Sequence, residues 1–163
     1  MKYREGNADD VAGLQKLALI SYSQFQSTLA EENWSKLKAH ITNESLFPNL
    51  LNTSKGFVCE FANEIIGMAF LVPKGNPTEI FQADWSYIRM VGVNPNFVGN
   101  GIGRQLTQMC IDFARSADEK VIALHTSEYM NAARHIYERL GFKQIKELEP
   151  RYGKRYWLYR LEL

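Results

Sequence analysis

Glycine stands at every second position in Gly99-Asn100-Gly101-Ile102-Gly103, directly ahead of Arg104 and an amphipathic run that reaches Arg115. Glycines spaced this way line a turn with little but main chain, and the helix that follows offers its first amides to the turn. Those N–H groups have no partner within the helix and lie at the positive end of its dipole, so an anion, most simply a phosphate, is expected there. Two familiar phosphate loops fail on spacing. A Walker loop needs Gly-Lys-Ser/Thr, whereas Gly103 is followed by Arg104-Gln105. A dinucleotide-binding turn needs Gly-x-Gly-x-x-Gly in the first βα unit, and here the glycines alternate and come after several strands. What remains is a pyrophosphate cradle made of backbone amides.

The elements that must hold this cradle can be read from periodicity. At 163 residues and 18.8 kDa the chain is expected to form one domain over 1–163 with its own core. Lys2 to Glu5 is a first strand, and Asn7 to Asp10 cap a helix whose apolar stripe is Val11, Leu14, Leu17, Ala18 and Ile20. Glu31 to His40, with Trp34 and Leu37, reads as a second short helix. Phe47-Pro48 and Asn52 to Gly56 read as turn material. Phe57 to Phe61 and Ile65 to Val72 form a hairpin across Ala62-Asn63-Glu64, with Gly67 a candidate bulge. A third strand runs from about Asp84 to Val93. After the glycine turn and its helix come a buried parallel strand at Lys120 to Thr126 and a helix from Asn131 to Leu140 ended by Gly141. Strands at Phe142 to Lys146 and Arg155 to Leu163 close the chain.

Composition narrows the partners. A formal net charge of +1 with 45% hydrophobic and 23% charged residues gives no broad field for nucleic acid or a membrane surface. No apolar run approaches the length of a membrane span, and the start, MKYREGNADD, has no apolar signal core. Cys59 and Cys110 lack metal or redox spacing and read as buried free thiols, with a reducing cytoplasm as the default compartment and no metal expected.

Taken together, Val93-Asn94-Pro95 through Gly99-Asn100-Gly101-Ile102-Gly103-Arg104, then Asn131, then Tyr137-Glu138-Arg139-Leu140-Gly141-Phe142, resemble the GCN5-related N-acetyltransferase (GNAT) superfamily along essentially the full length. Gly101 and Gly103 fill the glycines of the family's acyl-CoA motif, while Val98 stands where Gln or Arg is usual. The resemblance implies an α+β fold with a mixed, centrally splayed sheet of about six to seven strands and helices on both faces. It also implies acetyl-CoA as acyl donor. Its pantetheine would lie between the strand ending at Val93 and the strand after Lys120, bonded to main chain near Val91 and Val93. Its pyrophosphate would meet the stretch Val98, Gly99, Asn100, Gly101, Ile102, Gly103 and Arg104. A bulge near Val91 would leave an N–H free as oxyanion donor.

The same resemblance gives roles to single side chains, each with a plainer reading beside it. Tyr137 is placed as the acid beside the CoA sulfur, or as a core tyrosine. Asn131 holds pantetheine, or caps its helix. Arg104 reaches a CoA phosphate, or is a solvated charge. Where some relatives carry a glutamate base the chain has Tyr87, so the base is sought in Asp84, through water, or in His125, whose intrinsic pKa of about 6.5 suits the task. Tyr22, Phe25, Trp85 and Tyr87 are candidates for an aromatic acceptor pocket, or for core. The expected activity is acetyl transfer to a primary amine of a small molecule or peptide, with a homodimer left open. The alternatives are a non-catalytic acyl-CoA-binding or regulatory module and a nucleotide-binding protein using the same anion site.

Overall fold

The computed structural model describes residues 1–163. One seven-stranded sheet runs through it in the order β1-β2-β3-β4-β5-β7-β6. The strands are β1 (Lys2–Glu5), β2 (Lys55–Phe61), β3 (Glu64–Val72), β4 (Ser86–Val93), β5 (Val121–Ser127), β6 (Lys143–Arg151) and β7 (Lys154–Glu162). The helices are α1 (Val11–Ser23), α2 (Glu31–Ile41), α3 (Leu46–Thr53), α4 (Ile102–Ser116) and α5 (Asn131–Arg139). All neighbours pair antiparallel except β4 with β5, the one parallel step, which α4 crosses. The expected mixed sheet with helices on both faces is present.

The two faces bury different layers. Ile88 on β4, Ile122 and Leu124 on β5, and Trp157 and Tyr159 on β7 point to one side, against Ile102, Leu106, Cys110 and Tyr137 of α4 and α5. Val58, Met68, Phe70 and Met90 point to the other, against Leu14, Leu17 and Ala18 of α1, with α2 and α3 behind. Alternation along each strand produces both faces from the same sequence. Gly67 is what brings α4 down onto the sheet: a Cβ there would come within 2.5 Å of Ile102 and 2.9 Å of Leu106. The β2–β3 register slips beside it, between Cys59 and Glu60, so the expected bulge is present.

Several local expectations are corrected. Phe47-Pro48 and Asn52 do not form a turn but lie in α3, whose apolar Phe47 and Leu50 are buried. Pro48 is accommodated because the first turn of a helix has no use for its missing N–H. Lys55 and Gly56 begin β2 rather than precede it. The β2–β3 turn is two residues, Ala62 and Asn63, both at positive φ, and Glu64 already belongs to β3. On α1, Ile20 is exposed and Ser21 takes its place on the buried face. Asn7 caps a short 3-10 turn, Ala8–Asp10, that leads into α1, and not α1 itself: its side chain accepts from the Asp9 N–H, while the Asp10 carboxylate accepts from the Asn7 N–H at 2.8 Å and pairs with Arg4. Arg4 also reaches Glu60 at 3.0 Å and so clamps β1, α1 and β2 together. Cys59 and Cys110 are both free and buried. No helix is long and apolar enough to cross a membrane.

Candidate active site

The site begins where the sheet fails to close. Parallel pairing of β4 and β5 is confined to Ser86 with Ile122 and Tyr87 with Ala123, pinned by Ser86 Oγ donating to the Val121 carbonyl at 2.6 Å. Beyond Tyr87 the β5-facing main chain of β4 has no strand partner, and a wedge opens toward Val91 and Val93. On the β3 side, Arg89 faces Phe70 and Gly92 faces Met68, so Met90 and Val91 together oppose the single residue Ala69. Met90 carries this bulge at φ +54°, a left-handed conformation that a side-chain-bearing residue rarely adopts. The expected bulge near Val91 is therefore present, one residue earlier than the residue it re-aims.

The wedge leads to the glycine turn. Asn94 accepts from the Asn96 N–H at 3.0 Å and starts the descent, and Asn100 donates to the Phe97 carbonyl at 2.9 Å. Gly99 and Gly101 have φ of +90° and +72°, and nothing lies within 4 Å of where their Cβ atoms would be. Gly101 caps α4, and the first helical bond is from the Gln105 N–H to the Gly101 carbonyl at 2.9 Å. The amides of Gly99, Asn100, Gly101, Ile102, Gly103 and Arg104 have no protein acceptor. A run of unpaired donors in a turn this bare of side chains is suited to a pyrophosphate. Arg104 is exposed in the first turn of α4, and the Val98 side chain is 65% exposed.

On the α4–α5 face, Tyr137 is buried, its ring against Phe142 with centroids 5.9 Å apart. It makes no hydrogen bond, and burial pushes its phenol well above the usual tyrosine range, with Tyr22 and Cys110 adding to the rise. An ordinary phenol already titrates above a thiol, and the rise makes full proton transfer to a thiolate more costly. Asn131 is exposed at the first position of α5, where Met130 is the cap residue.

On the opposite face the aromatic residues gather unevenly. Tyr22 and Phe25 at the end of α1 meet Tyr129, which follows β5; the Phe25 and Tyr129 centroids are 5.1 Å apart. Tyr129 and Tyr156 of β7 join their hydroxyls at 2.8 Å. His125, two residues past the last β4 pairing, stacks on Tyr156 at 5.6 Å and meets the edge of Phe81 at 6.0 Å. Its Nδ1 is buried without a partner. Desolvation first, then Arg151 and Arg89, bring its pKa down to about 4, so the imidazole is neutral at ordinary pH and a weaker base than a solvated histidine. Burial likewise raises Tyr22 and Tyr129 to about 12.

Three expected residues stand elsewhere. Tyr87 is covered by Phe81, stacked at 4.2 Å, and Trp85 is buried with Arg160 over its ring at 5.3 Å. Both lie at or before the paired end of β4 and β5. Asp84 is exposed in the turn before β4 and makes no hydrogen bond. Seven residues of extended chain separate it from Val91, on the order of 20 Å, too far for one bridging water. Sequence reasoning passed over Tyr129, Tyr152, Tyr156, Arg89 and Arg151. Alternation in β7 marks Tyr156 as inward-facing, but nothing local shows which elements would meet it.

Comparison with known proteins follows the same outline. The family model described as the acetyltransferase (GNAT) family matches residues 17–142. N-alpha-acetyltransferase 30 of Schizosaccharomyces pombe is 37% identical over 62 residues, which are 38% of this chain and 41% of that protein. Mycothiol acetyltransferase of Gordonia bronchialis is 28% identical over 115 residues, 61% of this chain and 37% of that protein. The chain thus spans less than half the length of the curated relatives it matches. Among solved structures, the PaiA N-acetyltransferase of Thermoplasma acidophilum in complex with coenzyme A superposes with a TM-score of 0.81 at 12% identity, covering 99% of this chain and 98% of that one. An open wedge between two parallel strands, a bulge beside it and a helix start with six free amides are thus found in a chain that belongs to the acetyltransferase (GNAT) family.

Proposed function

We propose that this protein transfers an acetyl group from acetyl-CoA directly to a primary amine. The observation that carries the reading is the run of unpaired amides from Gly99 to Arg104 at the mouth of the β4–β5 wedge. Unpaired main-chain donors in a glycine turn are suited to the cofactor's pyrophosphate, and the partnerless edges of β4 are suited to the amide groups of its pantetheine arm. Acetyl-CoA supplies the activated thioester.

The chain's own groups then divide the remaining work. The main chain at the Met90–Val91 bulge provides the donor to an oxygen that gathers negative charge. Tyr137, held neutral by burial, donates a hydrogen bond toward the sulfur. With a phenol far more basic than a thiolate near about 8.5, it stabilises the leaving group without giving up its proton. His125 is neutral and its buried Nδ1 is unpartnered, so it serves as a hydrogen-bond acceptor toward the amine, while its low pKa makes it a weak base and leaves the proton to water leading to bulk solvent. Asn131 and Arg104 sit at the ends of the cofactor path, as a holder of pantetheine and a partner for phosphate. Tyr22 and Phe25 shape the acceptor side together with Tyr129. The acceptor is a small-molecule or peptide amine, and two buried free thiols suit a reducing, cytoplasmic setting.

Calorimetry with acetyl-CoA and free-thiol release with a pooled amine library test the reading. Binding plus amine-dependent release is expected. Failure to bind acetyl-CoA at millimolar concentration ends it, and binding without release from any amine replaces it with a non-catalytic acyl-CoA-binding module.

A further inference from the structure

A cavity of about 490 Å³ opens at the turn between α1 and α2, lined by Ser23, Gln26, Ser27, Leu29, Glu31 and Trp34. None of these residues belongs to β4, β5 or the glycine turn. The cavity takes the side chains of this turn that the aromatic cluster does not, since Tyr22 and Phe25 go to each other and to Tyr129. Within the stretch 22–35 the one side chain that hydrogen-bonds to the protein is Gln24, to the Ser21 carbonyl at 2.6 Å. The hydroxyls of Ser23 and Ser27, the amide of Gln26 and the carboxylate of Glu31 are therefore free. Exposed groups of this kind are ordinarily met by water, but Trp34 is different. It is only 7% exposed, and its indole N–H has no acceptor in the protein. Nor is that N–H among the enclosed polar atoms that lack a partner, which are Glu119 Oε2, His125 Nδ1 and the Nε atoms of Arg134 and Arg160. The N–H of this buried ring thus reaches open space, and the cavity is the space the ring lines.

The sign of the site follows from the chain around it. Between Lys16 and Lys36 the only charged residues are Glu31 and Glu32, both exposed and neither in an ion pair. Two helix ends meet here and their dipoles oppose each other, because Ser23 closes α1 and Glu31 opens α2. The tip of the last hairpin, Arg151 to Lys154, comes down on α2 at Asn33, where a Cβ on Gly153 would lie 2.8 Å from the amide nitrogen. Asn33 is off the face that Glu31 and Trp34 share as i and i+3, and neither Arg151 nor Lys154 lines the cavity. The two carboxylates therefore call for a cation. The indole N–H adds a second requirement: it is a donor only and needs an oxygen, which an alkylammonium lacks. A carboxylate or phosphate would bring that oxygen against the field of Glu31 and Glu32. Hydroxyl groups bring it without that cost, and Ser23, Gln26 and Ser27 can pair with them.

We propose that this cavity is a ligand site apart from the wedge, and that it takes a protonated amine rich in hydroxyl groups, an amino sugar or an aminocyclitol. The ammonium meets Glu31, one hydroxyl oxygen accepts from Trp34, others pair with Ser23, Gln26 and Ser27, and the C–H face of the ring lies on Leu29 and the indole. The inference goes beyond acyl transfer and does not depend on it.

The test reads the indole N–H signals of isotope-labelled protein by NMR, without acetyl-CoA. The three tryptophans give three such signals, which through-bond assignment tells apart. The probes are D-glucosamine, with charge and hydroxyls; D-glucose, without the charge; N-acetyl-D-glucosamine, with the charge masked; and cadaverine, with charge and no hydroxyls. D-glucosamine is expected to shift the Trp34 signal and leave those of Trp85 and Trp157 in place, with a Kd lower than that of the other three by about fivefold or more. Glu31→Gln, a surface change, is expected to weaken D-glucosamine by about fivefold to tenfold and remove its lead over D-glucose. A Trp34 signal unmoved by D-glucosamine at about 50 mM overturns the proposal, as does an equal response to D-glucose or cadaverine, or a lead that survives Glu31→Gln. Movement of Trp85 or Trp157 in place of Trp34 overturns it too, by putting the ligand elsewhere. No arm uses acetyl-CoA, so failure here leaves the transfer reading to its own tests.

Discussion

The donor and acceptor sides of the wedge are built by opposite means. The donor side is main chain: free amides from Gly99 to Arg104, the open edge of β4, and a bulge at Met90. Its chemistry comes from side chains that are absent, and its parts lie within one continuous stretch. The side proposed for the acceptor is side chain throughout, with Tyr22 and Phe25 at and just after the end of α1, His125 and Tyr129 around β5, and Tyr156 from the last hairpin. A cofactor common to many reactions can be held by groups every residue has, whereas an acceptor must be recognised by groups that differ.

That contrast can be broken from either side. The largest effect is expected from Gly101→Val, which places a branched side chain in the cradle at φ +72°. Acetyl-CoA affinity should fall by about 100-fold or more in calorimetry, and unchanged affinity would mean the phosphates sit elsewhere. Tyr137→Phe should lower kcat by roughly tenfold to 100-fold while leaving CoA affinity intact, as befits a hydrogen bond felt only late in the reaction. A parallel fall in Tm would make it a packing residue instead.

Acid should act on the acceptor side first. The neutral His125 of the folded protein titrates near about 4, against about 6.5 when unfolded, so the unfolded chain binds more protons between those values. Its share of stability is complete above about pH 6.5 and is lost as pH falls toward 4, by about 3 kcal/mol. His125→Gln should flatten this dependence in thermal melts, and an unaltered slope would assign acid sensitivity to other groups. Gly67→Ala attacks the donor side from beneath, where a methyl meets Ile102 and Leu106; a cost of about 1–3 kcal/mol should appear in urea melts. Tyr129→Phe removes only the hydroxyl pair with Tyr156 and should cost about 1 kcal/mol, with a change in KM larger than that in kcat if the pair lines the acceptor.

The amino-acid sequence by itself determined the strand–glycine turn–helix unit, both faces of the sheet and the free thiols, because these follow from periodicity, glycine backbone freedom and capping within short windows. It placed Gly99 to Arg104 for the same reason: an anion cradle of backbone needs no distant partner. Only the tertiary structure decided that α3 forms at Phe47-Pro48, where burial of Phe47 and Leu50 outweighs local turn signals. It alone put Asp84 at the far end of β4, covered Tyr87 with Phe81, and brought Phe25, His125, Tyr129 and Tyr156 into one aromatic cluster from separate parts of the chain. Contacts between residues so far apart in sequence leave no local trace, since they arise from strand order and the folding of a hairpin tip onto α2. The raised pKa of Tyr137 and the lowered pKa of His125 share that origin, because burial is a property of the assembled layers and of no single segment.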